Sequence, residues 1–159
     1  MKGLYIVLLL IIVGCGTPQV KDYVSVEDDA FKKTKVFKGI ESSLDAAGSK
    51  LFLRSFYNYQ NKTVSHQAYV VVYYHYNWRF YYSASDSDGK QYEFIPIDDS
   101  VFCRRGCTFT EHFAIQLTNA DLKKENITFK VYAKKYEPMI FSLTNDMIRA
   151  QLDAIQNAL

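Results

Sequence analysis

Apolar and polar residues alternate along most of the chain in short runs, a pattern typical of β-strands. The predicted strands are 34–40, 51–59, 67–76, 78–84, 91–97, 112–117, 127–133 and 139–143. The run 67–76 is apolar on both faces, which predicts a strand in the middle of a sheet. Asp88-Gly89 predicts a hairpin turn. Seven or eight short strands separated by turns predict a mainly β fold, and we expect an antiparallel β-sandwich.

The pattern changes after residue 143. Thr144 or Asn145 is suited to cap a helix, and Asp146 follows in its first turn. Apolar residues then recur at helical spacing, at Met147, Ile148, Leu152, Ile155 and Leu159. We therefore expect a C-terminal amphipathic helix that packs on the sheet, with docking to a membrane or a partner as the alternative.

The amino terminus has a third pattern, in which Lys2 precedes an unbroken apolar run over residues 4–13. Ten residues rise only about 15 Å as a helix, roughly half of a bilayer core, so the run is too short to span a membrane. Its length is that of the apolar region of a signal peptide. We predict a signal peptide over residues 1–14.

The four residues Ile12-Val13-Gly14-Cys15 end this run, and they resemble the lipobox of bacterial lipoprotein precursors. Val13 is bulkier than the alanine or serine that is commonest at its position. The resemblance implies cleavage before Cys15, diacylglycerol on its thiol and an acyl chain, such as palmitate, on the new amine. It also implies a lipid anchor in the membrane. In such lipoproteins an aspartate directly after the cysteine favours the inner membrane, so Gly16 at this position points to the outer membrane. The alternative is a cleaved secretory leader with an incidental cysteine.

The division of the chain follows from these patterns. Residues 15–33 carry many charges and few apolar residues, and we expect a lipidated tether. Residues 34–159 are then one β-rich domain. Of 19 Lys and Arg, Lys2 lies in the leader, which leaves 18 against 17 Asp and Glu. A net charge this small gives no basic surface for nucleic acid, so no such partner is expected.

Cys103 and Cys107 remain once Cys15 is assigned to lipid. An exported chain favours a disulfide between them, and Gly106 suits the tight loop that it would close. A redox-active pair is the alternative, although such pairs usually have two intervening residues. The three histidines show no recognisable ligand spacing, so no metal site is predicted.

Recognisable enzyme motifs are missing from the sequence, and we predict no catalytic residues and no cofactor. A calcium site at the Asp86-Ser87-Asp88-Gly89 turn is an alternative to a plain hairpin. A serine or cysteine nucleophile with distant partners stays open as a less favoured hypothesis.

The aromatic content offers the clearest indication of a binding surface, since the chain has 13 Tyr and 11 Phe. A group of aromatic and basic residues is predicted as this surface: Tyr57, Tyr59, Tyr69, Tyr73, Tyr81, Tyr132, Arg104 and Arg105. The alternative is that these rings fill the core. We expect a binding or structural module of the cell envelope, with another envelope protein as its partner. A small-molecule or lipid carrier and a hydrolytic enzyme are the alternatives.

Overall fold

The computed structural model describes residues 23–159. The predicted signal peptide and Cys15 lie outside the described residues. Eleven strands, one 3-10 helix and one α-helix make up the described part: β1 (Ser25–Asp29), β2 (Thr34–Lys38), β3 (Ser42–Ser43), β4 (Lys50–Asn58), β5 (Thr63–His75), β6 (Tyr81–Asp86), β7 (Gln91–Tyr92), β8 (Phe94–Cys103), β9 (Cys107–Leu117), the 3-10 helix (Asp121–Lys123), β10 (Ile127–Ala133), β11 (Met139–Leu143) and α1 (Asn145–Ala158). The prediction of a mainly β chain with antiparallel strands and a C-terminal helix is confirmed.

The strands form two antiparallel sheets. The larger sheet has the order β1-β2-β4-β5-β9-β8, with β3 added on β4, and the smaller has the order β11-β10-β6-β7. The central position predicted for residues 67–76 is confirmed, because β5 pairs with both β4 and β9. Its even-numbered residues enter the core and its odd-numbered residues face away from the smaller sheet, as a strand apolar on both faces requires.

The inner faces of the two sheets share one hydrophobic core. Aromatic rings fill it: Phe113 of the larger sheet lies 5.3 Å from Tyr81 of the smaller one between ring centroids, and within the smaller sheet Phe129 lies 5.4 Å from Tyr92 and 5.6 Å from Phe141. The space between the sheets is therefore filled by side chains that contact one another. Fully buried aliphatic residues from both sheets complete this core: Leu51, Leu53, Val70, Ile115, Ile127 and Leu143.

Helix α1 begins as predicted, with the Thr144 side chain accepting a hydrogen bond from the Met147 backbone. Its buried residues include Met147, Gln151 and Ile155, which are four residues apart and lie on one line along the helix. The prediction that Leu152 and Leu159 share the buried face is wrong, since they are 37% and 59% exposed. Gln151 takes the buried place because its amide bonds to groups of the larger sheet, described below.

Two further predictions need correction. The sheet begins at Ser25, inside the segment predicted as a tether, because β1 pairs with β2 over its full length. Tyr81, predicted on a binding surface, is 7% exposed and belongs to the core. A bulge at Tyr132/Ala133 and a positive φ of 55° at Phe80 shift the alternation along this part of the chain.

A buried carboxylate holds the segment before β6 in place. Glu111 on β9 accepts hydrogen bonds from the backbone N–H groups of Arg79, Phe80 and Tyr81 at 3.1, 2.9 and 3.0 Å. The Tyr74 hydroxyl also donates to Glu111, and burial together with this bond raises the pKa of Tyr74. Glu111 thus ties the larger sheet to the strand that starts the smaller one.

Candidate functional site

Outward-facing residues of the larger sheet line an open groove of about 430 Å³, here called the outer-face groove. Strand alternation puts the even residues of β4 and the odd residues of β5 on this face, and the register sets Phe52 opposite Tyr69 and Val71 opposite His112. The groove is lined by Ser25, Glu27, Val36, Lys38, Glu41, Lys50, Phe52, Arg54, Tyr69, Val71, Tyr73 and His112.

Four of these side chains form a continuous stack across three strands. The rings of Phe52 and Tyr69 lie 4.8 Å apart and nearly parallel. The Arg54 guanidinium covers the Tyr69 ring at 4.2 Å, and the Lys38 ammonium covers Phe52 at 4.5 Å. Each cation is attracted by the face of its ring, and its aliphatic stem covers apolar surface. This packing explains why Phe52 is only 5% exposed although it points away from the core.

Hydrogen bonds order the polar side of the same surface. Arg54 donates from its guanidinium to Gln67 at 2.7 Å, and Gln67 donates to Gln116 at 3.1 Å. The Tyr69 hydroxyl is 3.0 Å from Nδ1 of His112. Burial lowers the pKa of Arg54, and burial raises the pKa of Tyr69 although the Arg54 charge opposes that change. The buried Nε of Arg54 has no hydrogen-bond partner within residues 23–159.

A buried carboxylate forms ion pairs with two lysines at one end of the groove. Glu41 is 5% exposed and pairs with Lys38 at 2.7 Å and with Lys50 at 3.0 Å. Burial acts to raise the pKa of Glu41, but the hydrogen bonds and charges of the two lysines outweigh it and hold that pKa below its usual value. Lys38 is therefore fixed on both sides, by Glu41 and by the Phe52 ring.

The predicted binding residues are divided among five places. Tyr69 and Tyr73 lie in the outer-face groove. Tyr57 and Tyr59 pack edge to face at 5.3 Å near the end of β4, where the Tyr59 hydroxyl donates to Asp28. This bond, followed by burial and the Asp28 charge, raises the pKa of Tyr59 to about 12.

The remaining predicted residues lie elsewhere. Tyr81 is in the core, as already described, and Tyr132 is half-buried on the smaller sheet, 3.4 Å from Ser85 between hydroxyl oxygens. Arg104 and Arg105 are exposed at the tip of the β8–β9 hairpin. Sequence reasoning missed Phe52, Arg54 and His112, whose place in the groove depends on strand register.

The predicted disulfide is confirmed, since Cys103 and Cys107 are bonded to each other at the ends of paired strands. The Asp86 turn is the predicted hairpin: β6 pairs with β7, and Gly89 has a φ of 82°. Asp86 is already occupied by hydrogen bonds from the backbone of Lys90 and the side chain of Lys124. Within residues 23–159, no group of three or more His, Cys, Asp and Glu side chains is placed to hold a metal ion.

A buried serine and histidine lie under helix α1. Ser55 Oγ is 2.8 Å from Nδ1 of His66, and Gln151 donates to the same hydroxyl at 2.9 Å and to the Phe37 carbonyl at 3.1 Å. Burial lowers the pKa of His66, although a hydrogen bond with Asn119 opposes this change. Ser55 has no exposed surface and His66 only 4%, so a substrate cannot reach the hydroxyl in this conformation. We interpret the network as a structural link between α1 and the larger sheet.

In comparisons with known proteins, no family model, curated protein or solved structure matches the chain. Within the described part of the chain, none of the helices has the length and apolar character needed to cross a bilayer.

Proposed function

We propose that the protein is a lipoprotein of the bacterial cell envelope and that it acts there as a binding module. The anchor is lipid on Cys15, and the domain beyond it is a β-sandwich that binds another envelope protein through the outer-face groove. The lipobox at residues 12–15 and the short apolar run before it support the anchor. Gly16 favours the outer membrane by resemblance.

The stack of Lys38, Phe52, Tyr69 and Arg54 is the observation that carries the binding proposal. Tyrosine and arginine are enriched among the few residues that carry most of the binding energy at protein interfaces. Here the side chains are already ordered by stacking and hydrogen bonds, so little conformational entropy is lost when a partner binds. The polar groups along the groove, such as the guanidinium of Arg54 and the hydroxyl of Tyr69, supply hydrogen bonds at its rim.

A protein partner suits this surface better than a sugar. Glycans stack on exposed faces of aromatic rings, but the faces of Phe52 and Tyr69 are covered by each other and by the two cations. Ring edges and the polar heads of Arg54 and Tyr69 are what the groove presents. These are features of a surface that recognises shape and hydrogen bonds together.

The anchor is tested by growing cells with an alkyne-bearing palmitate and comparing the wild-type chain with Cys15→Ser. We expect label on the wild-type protein, no label on the variant, and loss of the variant from the membrane fraction. Equal labelling of both chains would overturn the assignment of the lipid to Cys15.

The groove is tested by capture of partners from cross-linked envelopes with a variant that carries Arg54→Ala and Tyr69→Ala. The matched control carries Lys130→Ala and Tyr132→Ala, which removes a similar cation and ring, 5.4 Å apart, from the smaller sheet. We expect the groove variant to lose a protein that the wild type and the control both retain. Recovery of the same proteins with all three chains would refute the groove as the binding surface.

A further inference from the structure

Strand β8 lies at an edge of the larger sheet. Among the described strands its hydrogen-bonded neighbour is β9, so the opposite side of its backbone is unpaired within residues 23–159. Free N–H and C=O groups along an edge strand are a template for a strand of another chain. Edge strands are usually protected from such pairing by charges, proline or a bulge.

The two halves of β8 differ in this protection. Pro96 and a bulge between Pro96 and Asp98 interrupt the first half. The second half is regular, and its two residues before the disulfide are exposed apolar side chains, with Val101 49% exposed and Phe102 71% exposed. The disulfide at Cys103 closes the hairpin directly after these residues, so β8 stays paired with β9 up to the tip. The end of β8 at Val101 and Phe102 is therefore regular, exposed and available to pair with a partner strand.

Charges on either side of this apolar segment indicate which strand fits. Asp98 and Asp99 precede it, and Arg104 and Arg105 follow it. When two copies of the segment pair antiparallel, the acidic end of each lies beside the basic end of the other. Parallel pairing would instead place like charges side by side, which is unfavourable.

Symmetry then limits the registers that are possible. A twofold axis perpendicular to a continuous antiparallel sheet requires a residue to lie opposite its own copy. With Val101 on the axis, Asp98 and Asp99 of each copy lie next to the hairpin tip of the other copy, which carries Arg104 and Arg105 just after the strand ends. Phe102 of each copy then lies opposite Ser100 of the other, so the exposed apolar residues are covered at the centre of the pair.

We propose that the protein forms a homodimer in which the β8 strands of two copies pair antiparallel about Val101 and join their larger sheets. The interface is separate from the binding proposal for the outer-face groove, which does not depend on it. The charge pattern favours a second copy over an unrelated strand, because residues 98–105 carry acidic side chains at one end and basic side chains at the other. Two antiparallel copies of this segment therefore match each other's charges.

The test is site-specific photo-cross-linking in the membranes of cells that express two differently tagged copies of the full chain. Benzoylphenylalanine replaces Val101 in one sample and Ile140 in the control, where Ile140 is 66% exposed on β11 at an edge of the smaller sheet. We expect a band of twice the monomer mass that carries both tags from position 101, and much less of it from position 140. Equal yields at the two positions, or a product at 101 that contains a different protein, would overturn the proposal.

Charge reversal gives the second measurement. Arg104→Asp with Arg105→Asp makes four charge pairs repulsive, and we expect the dimer dissociation constant to rise roughly tenfold. Adding Asp98→Lys and Asp99→Lys restores the complementarity, and we expect the double-tagged band to return. No loss with the first variant, or no recovery with the second in a correctly folded chain, would contradict pairing in this register.

Discussion

Replacing Glu111 by alanine should destabilise the fold more than most single substitutions. The change removes the acceptor for the backbone N–H groups of Phe80 and Tyr81 and for the Tyr74 hydroxyl. The Arg79 N–H also loses Glu111 but keeps the Tyr74 hydroxyl as an acceptor at 3.1 Å. A buried donor left without an acceptor costs ~1–3 kcal/mol. Phe80 is 44% exposed, so water replaces part of the loss there. We therefore expect the free energy of unfolding to fall by about 4 kcal/mol.

The measurement is urea denaturation of the purified protein with its disulfide intact, followed by tyrosine and tryptophan fluorescence. Glu111→Gln keeps one oxygen acceptor but turns an amide N–H₂ toward N–H donors, and we expect a loss of about 2 kcal/mol. Glu125→Ala removes an exposed carboxylate and is the control, with a change within about 0.5 kcal/mol. A loss at Glu111→Ala no larger than that of the control would refute the role given to this carboxylate.

Two further predictions concern stability. Gly39→Ala should lower the free energy of unfolding by about 2 kcal/mol, because the new Cβ would lie 2.8 Å from the Leu53 carbonyl oxygen. Urea denaturation measures this loss, and an unchanged midpoint would contradict the close packing. Burial acts to raise the pKa of Asp121, but hydrogen bonds from Lys90 and Thr118 together with the Lys90 charge outweigh it, and the pKa falls to about 2. Its contribution of about 2 kcal/mol is present above pH 4 and is lost as the pH falls toward 2. Unfolding measured at several pH values should therefore show a shallower acid dependence for Asp121→Asn than for the wild type, and equal slopes would contradict this.

Features set by local pattern were predictable from the sequence. β5 was placed at the centre of the sheet because both of its faces are apolar, and β4 and β9 cover its two edges. The Cys103–Cys107 pairing follows from a separation of four residues across a tight hairpin. The Thr144 cap follows from hydrogen-bonding chemistry within one helical turn.

Features that depend on distant partners were not predictable. β1 reads Ser-Val-Glu-Asp-Asp and has the composition of a solvated segment, yet pairing with β2 makes it a strand. Strict alternation over residues 78–84 predicts Tyr81 on the surface, whereas the extra residue Tyr82, between the paired Tyr81 and Ser83, turns Tyr81 toward the core.

The candidate site was predicted in part for the same reason. The alternation within one strand, visible in the sequence, predicts that Tyr69 and Tyr73 share a face. Phe52 and Arg54 belong to the same surface only through the register that sets residues 50–58 of β4 against 63–71 of β5. A register is decided by many cross-strand contacts together, and no short stretch of sequence specifies it.

The most direct test of the central claim is the affinity of the groove for the envelope protein that it captures. We expect Arg54→Ala to raise the dissociation constant at least about thirtyfold. This corresponds to a loss of about 2 kcal/mol of binding free energy, which is typical of a residue central to an interface. Lys130→Ala on the smaller sheet should change it less than about twofold. Equal affinities for wild type and Arg54→Ala, with both chains folded, would contradict the account.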